Sequence, residues 1–335
     1  MATKIGFLEV PYMETEGIHN PPYVARQADI LQALLRAVRL AYHLLYALLV
    51  AMIYPLLTLP ARQFIMRRWS RALLRILQVH LETGGHLPPQ RKRGSLLVAN
   101  HTSWLDVYAL NAIQPASFVA KAEVRSWPLI GLLCRRAQTI FIERNLRRDT
   151  MRANGLIASR LAQGECVALF PEGTTTDGTQ VRHFHSSLLQ CAVDTECAVY
   201  PVAIRYHDGS GRQCNDAAFI GDMTFMRSLV NILFSGSLHV TLVVLPAISG
   251  AQKTRRVLAD QAHASIRATL HDLARCYGNT PHTALQERLR SMVYGHAMAD
   301  AAMRHAPHHP APPFQSPYSM LLSPAFKFKK HSADF

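Results

Sequence analysis

The stretch "SLLVANHTSWLDVYALNAI", residues 95–113, runs from an apolar segment through a polar turn into a second apolar pattern. The first part has the length and side chains of a buried strand, and a helix is expected over 103–113. The turn between them carries His101 and Asp106, five positions apart. In a parallel sheet, groups that do chemistry gather beyond the carboxyl ends of strands, which is where this pair falls. Thr102 or Ser103 would supply the N-cap of the helix.

The same alternation continues downstream. Strands are expected at "SFVAKAEV" (117–124), "TIFIER" (139–144), "CVALFPEG" (166–173), "AVYPVAIRY" (198–206) and "LHVTLVVLPAI" (238–248), with helices over 147–163, 186–195 and 254–276. Short apolar strands alternating with helices predict an α/β fold with a mainly parallel central sheet flanked by helices. The Gly, Pro and charge cluster "GGHLPPQRKRG", 84–94, marks the entry to this domain, which is placed at 84–280. Beyond it, 281–335 is rich in Pro and His and is expected to be a largely disordered tail, with "FKFKK" as an extra membrane contact.

Upstream, Arg39 and Arg62 bracket 22 uncharged residues, 40–61. As a helix they would reach roughly 33 Å, enough to cross a hydrocarbon core of about 30 Å. Pro55 and Pro60 equally suit a bent, partly embedded segment. Residues 62–82 put Phe64, Ile65, Trp69, Leu73, Ile76, Leu77 and Val79 against Arg62, Arg67, Arg68, Arg71 and Arg75, the pattern of an amphipathic helix on an anionic surface. Together 26–83 read as a membrane-anchoring helical segment ahead of the α/β domain, behind a polar stretch at 1–25. The first 25 residues lack a signal-peptide pattern, so the anchor is expected to be retained. The arginine excess after the apolar run places the remainder of the chain on the cytoplasmic side of an inner or plasma membrane.

Over its 335 residues the chain holds 36 Lys and Arg against 22 Asp and Glu, a formal net charge of +14, which favours anionic partners. Six cysteines show no C-x-x-C pair and no zinc spacing, consistent with a reducing compartment.

A carboxylate that accepts one imidazole N–H fixes the tautomer and leaves the other nitrogen to take a proton from a hydroxyl. Taken alone, His101 and Asp106 equally fit a satisfied histidine and a capping aspartate. A second constellation, "LFPEGTTTDG" at 169–178, also follows a strand and brings Glu172, Gly173 and Thr174 to a loop whose amides and hydroxyls suit an anion. It lacks the G-x-x-x-x-G-K-[ST] pattern, which disfavours nucleotide phosphoryl transfer.

With "TIFIERN" and "VYPVAIRY", these make four ordered blocks over roughly 95–206, and the chain resembles the glycerolipid acyltransferases typified by 1-acylglycerol-3-phosphate acyltransferase. The resemblance implies His101 as general base, Asp106 as its partner, and Arg144, Glu172, Gly173 and Thr174 as contacts to the acceptor headgroup. Lys121 matches a basic position that adds phosphate or CoA contact. It implies acyl transfer from acyl-CoA or acyl carrier protein to the free hydroxyl of a lysophospholipid at an anionic membrane surface, without resident cofactor, metal or nucleic acid. The acceptor expected first is 1-acylglycerol-3-phosphate, giving phosphatidate. "VRHFHSSL", 181–188, departs from many lysophosphatidate enzymes in its Ser, and "TTTDG" resembles the lyso-ornithine lipid branch. His183 and His185 are expected to be loop or surface residues. A metal-dependent hydrolase using them with His101 and Asp106, or a catalytically silent lipid-binding protein, are the competing classes.

Overall fold

The computed structural model describes residues 27–88, 94–143 and 147–279. The expected polar segment 1–25, Arg144 and the tail from 281 onward lie outside the described residues. The strands are β1 (Val79–Gly85), β2 (Ser95–Ala99), β3 (Ser117–Lys121), β4 (Ile140–Ile142), β5 (Cys166–Leu169), β6 (Ala198–Asp208), β7 (Leu238–Val244) and β8 (Ile248–Ser249). They form one sheet in the order β1-β7-β6-β2-β5-β3-β4, with β8 beside the start of β6. Five pairings are parallel; β6 with β7 and β6 with β8 are antiparallel. The sheet is therefore mainly parallel, as the alternating pattern predicts.

β2 lies between β5 and β6 and all five of its residues are buried, as a central strand covered on both faces requires. One face packs Leu97 and Ala99 with Leu105, Ala109 and Leu110 of α3 (Leu105–Ile113) and with Leu73, Leu74 and Leu77. The other packs Leu96 and Val98 with α5 (Arg147–Ala162) and α8 (Arg255–Asn279), through Ile157, Leu258 and Ile266. Burial of these aliphatic side chains, at about 1.5–3 kcal/mol each, is the main force holding the layers together.

The apolar N-terminal segment is bent. α1 (Gln27–Ile53) ends in a 3-10 turn at Tyr54–Leu56 that contains Pro55, and α2 (Leu59–Ile76) starts after it. Arg62 donates to Tyr54 O (3.1 Å) and Pro55 O (2.6 Å), satisfying carbonyls that the break leaves open. A buried stripe, Ala33, Arg36, Leu40, Ala47 and Ala51, faces the protein. Arg36 secures it by donating to Leu233 O (2.9 Å) and Ser235 O (3.0 Å) at the end of α7 (Phe225–Phe234), and to Gln78. The opposite stripe, including Leu34, Val38, Leu45, Leu49 and Met52, is exposed.

Two boundaries differ from expectation. The amphipathic helix expected to reach residue 82 stops at Ile76, because Gln78 turns the chain at φ 55° into β1, which joins the sheet beside β7. The helix after β2 begins at Leu105, and neither Thr102 nor Ser103 is its N-cap; Asp106 reaches back from the first turn to bond their amides instead. Two short helices, α4 (Ile130–Arg136) and α7, fall in segments where the sequence pattern assigns no element, and α6 (Gln190–Thr195) forms the last part of the helix expected over 186–195.

Candidate active site

The turn after β2 is fixed at both ends. Asn100 is buried and clamps β6 with a paired contact: its Nδ2 donates to Ile204 O (2.9 Å) and its Oδ1 accepts from Ile204 N (2.8 Å). This extends the β2–β6 ladder by one side chain and sets where the next residue, His101, leaves the sheet. His101 O accepts from Thr176 N (2.9 Å), and Thr102 O accepts from Phe219 N (3.0 Å), so two other loops close over the turn. Thr175 Oγ1 ties those loops together through Phe219 O. Gly178 sits at φ +78° against Thr102, where a Cβ would meet the Thr102 hydroxyl at 3.3 Å.

His101 Nδ1 and Asp106 Oδ2 are 2.8 Å apart; the histidine side chain keeps 19% exposure and the aspartate is fully buried. Asp106 Oδ2 also accepts from Thr102 N (2.7 Å) and Ser103 N (2.9 Å), and Oδ1 accepts from the Tyr206 hydroxyl (2.7 Å). Donors on both oxygens favour the anion, so the imidazole proton belongs on Nδ1 and the lone pair on Nε2. The ring is stacked on Phe170, with centroids 4.0 Å apart and planes 11° apart, which fixes its orientation. Burial, and next the charge of Asp106, push the Tyr206 hydroxyl well above its ordinary 10.0, so it stays a donor.

Glu172 lies beside this pair with both oxygens engaged by the main chain. Oε1 accepts from His101 N (2.7 Å) and Oε2 from Arg182 N (2.9 Å). Burial raises its carboxyl above the ordinary 4.5, and the Arg182 and His101 amides oppose that rise. The carboxylate faces amides and braces the His101 turn. Gly173 sits at φ +75°, and its N–H is taken by Phe170 O (3.1 Å), so this amide belongs to the turn rather than facing an anion. Thr174 follows, half-buried. Lys121 is exposed at the end of β3, which is separated from β2 by β5. His183 and His185 are exposed, as expected.

Asn100, Phe170 and Tyr206 were not singled out from the sequence. Each stands inside or beside one of the four blocks, so position within a block was the available signal. None has a type that announces a role at a distance.

A general model of the acyltransferase domain matches residues 79–205, spanning β1, the His101 turn, the Glu172 loop and most of β6. The 1-acyl-sn-glycerol-3-phosphate acyltransferase of Neisseria meningitidis serogroup B is 36% identical over 204 residues, 61% of this chain and 79% of that protein. The lyso-ornithine lipid O-acyltransferase of Pseudomonas aeruginosa is 39% identical over 217 residues, 64% and 81% of the respective chains. The chain belongs to the acyltransferase family. This acyltransferase also shares its fold with the crystal structure of the 1-acyl-sn-glycerophosphate acyltransferase from Thermotoga maritima, at a TM-score of 0.56 and 18% identity. That similarity covers 73% of this chain and 96% of the other.

Proposed function

We propose that this acyltransferase moves a fatty acyl group from an acyl thioester, acyl-CoA or acyl carrier protein, to the free hydroxyl of 1-acylglycerol-3-phosphate, giving phosphatidate. The observation that carries the mechanism is the 2.8 Å contact of His101 Nδ1 with a buried Asp106 that accepts three further donors. His101 Nε2 removes the hydroxyl proton as the oxygen attacks the thioester carbonyl. The C–O bond forms, the tetrahedral intermediate collapses, the C–S bond breaks, and the proton on Nε2 passes to the departing thiolate. Asp106 stabilises the transient imidazolium without taking its proton. The acceptor phosphate calls for cations, and Arg144 and Lys121 are the basic residues proposed to meet it.

The bent α1–α2 pair supports an interfacial attachment over a clean span. α1 presents apolar residues outward but is held along its length by its buried stripe and by Arg36, so the exposed face lies along the bilayer surface. The catalytic domain is proposed to sit on the cytoplasmic side, where acyl-CoA and acyl carrier protein are found.

A second acceptor is favoured by a specific observation: the Pseudomonas aeruginosa relative is named for lyso-ornithine lipid and is 39% identical. The deciding experiment gives the purified protein labelled acyl-CoA in mixed micelles with lysophosphatidate or lyso-ornithine lipid. Labelled phosphatidate formed by wild type, and lost on His101→Ala, meets the proposal. Labelling of ornithine lipid alone reassigns the acceptor, and undiminished turnover in His101→Ala overturns the mechanism. A positioned base is worth 10²- to 10⁴-fold, about 3–5 kcal/mol of barrier, which is the expected loss.

A further inference from the structure

His207 follows Tyr206 in β6, so its side chain leaves the opposite face of the strand from the Asp106 contact. There it meets two neighbouring strands in register. His80, His239 and His207 form one row across β1, β7 and β6, and Glu82, Thr241 and Arg205 form the row two residues on, on the same face. One ligand atom each from Glu82, His207 and His239 lies within 4.8 Å of the others. Glu82 Oε1 is 3.3 Å from His239 Nδ1, and Glu82 Oε2 is 3.8 Å from His207 Nε2. A tetrahedral ion with bonds near 2.1 Å sets its donors roughly 3.4 Å apart, so the three groups would draw together on binding it.

The surrounding contacts aim one ring nitrogen of each imidazole at Glu82. Asp208 O lies 2.9 Å from His207 Nδ1 and takes that N–H, directing Nε2 toward Glu82. Ser237 Oγ lies 2.8 Å from His239 Nε2, which directs Nδ1 toward Glu82. The Thr241 hydroxyl contacts His207 Nε2 (3.0 Å) and donates to Glu82 Oε2 (3.2 Å). Outer partners that fix tautomer and carboxylate orientation are what metal-binding histidines require. Two nitrogens and one carboxylate suit zinc, whereas magnesium and calcium want oxygen donors. The Arg205 guanidinium, bonded to Gly211 O at 3.1 Å, shares this face and also disfavours weakly held cations.

We propose that Glu82, His207 and His239 form a zinc site that clips the edge strand β1 to β6 and β7, with its fourth position taken by water. The site belongs to the scaffold and enters no step of acyl transfer. No sequence spacing announces it, since its three ligands come from strands far apart in the chain.

The test uses the full-length protein, stripped with chelator, reloaded with Zn²⁺ and desalted. Metal content is read by mass spectrometry and unfolding by calorimetry. Wild type should retain one zinc per chain and unfold at a higher temperature than the stripped form. His239→Ala and Glu82→Gln should lose that zinc and the shift, while His239→Cys, which offers a thiolate, should keep both. If His239→Ala does not fold, Glu82→Gln, similar in size, carries the comparison. Replacing His305, His308 and His309 by Ala should change nothing. A wild type that retains no zinc overturns the proposal. So does zinc that leaves with the three tail histidines and stays in the Glu82 and His239 variants.

Discussion

Asp106 accepts from the His101 ring, two main-chain amides and the Tyr206 hydroxyl, so an amide in its place cannot accept from all four. Asp106→Asn must turn an NH₂ toward at least one donor. Turnover is expected to fall at least as far as in His101→Ala, with a drop in unfolding temperature that His101→Ala does not show. Calorimetry beside the acyl-transfer assay checks both. Tyr206→Phe removes a single donor from a buried carboxylate oxygen and is expected to cost about 1–3 kcal/mol of stability, read from denaturant titration. Its pH dependence has a definite sign. The folded hydroxyl titrates above its ordinary 10.0, so its stabilisation is complete below that value and is lost as the unfolded tyrosine ionises. Wild type should therefore lose stability above pH 10 more steeply than Tyr206→Phe. The His101–Asp106 spacing was readable because the two are five residues apart on one turn. Tyr206 enters from 100 residues downstream, and only strand pairing brings it there.

Elements explain which parts of the chain could be read in advance. β2 and β5 are buried throughout, so their apolar runs were plain, and β6 and β7 differ only at their ends. β1 was not legible because it is an edge strand, "VHLETGG", carrying His80 and Glu82 within a segment that continues the basic amphipathic pattern of α2. The Glu172 loop was legible as a site, but not in its detail: a glutamate before a glycine looks like an anion cradle, and its partners turn out to be amides of its own chain. The Asn100 clamp gives a test at this scale. Asn100→Ala removes both bonds to Ile204 and leaves that residue's N–H and C=O without the side-chain partner. It is expected to lower stability by about 2–4 kcal/mol and to reduce kcat while KM stays close to wild type, since it displaces His101, the proposed base, more than the substrate.

For the whole molecule, the exposed face of α1 is the feature to test. Replacing Leu34, Leu45 and Leu49 by Ser should sharply reduce co-sedimentation with anionic vesicles while leaving activity on micellar substrate largely intact. Unchanged sedimentation would move the attachment elsewhere. Point substitutions are preferable to removing residues 1–80, which would also delete Leu73, Leu74 and Leu77 from the core and the first residues of β1. Binding should weaken with added salt to the extent that exposed Arg68, Arg71 and Arg75 take part.

The buried stripe of α1 has a thermodynamic corollary. Ala33 and Leu40 share one hydrophobic cluster with Leu105, Ala109 and Leu110 of the helix that carries Asp106. Lipid that engages the outer face of α1 therefore acts as a ligand for the native state, and the domain's melting temperature should rise with vesicle concentration as mass action dictates. With α1 attached to the bilayer as proposed, partitioning and folding of the catalytic core would become a single linked equilibrium.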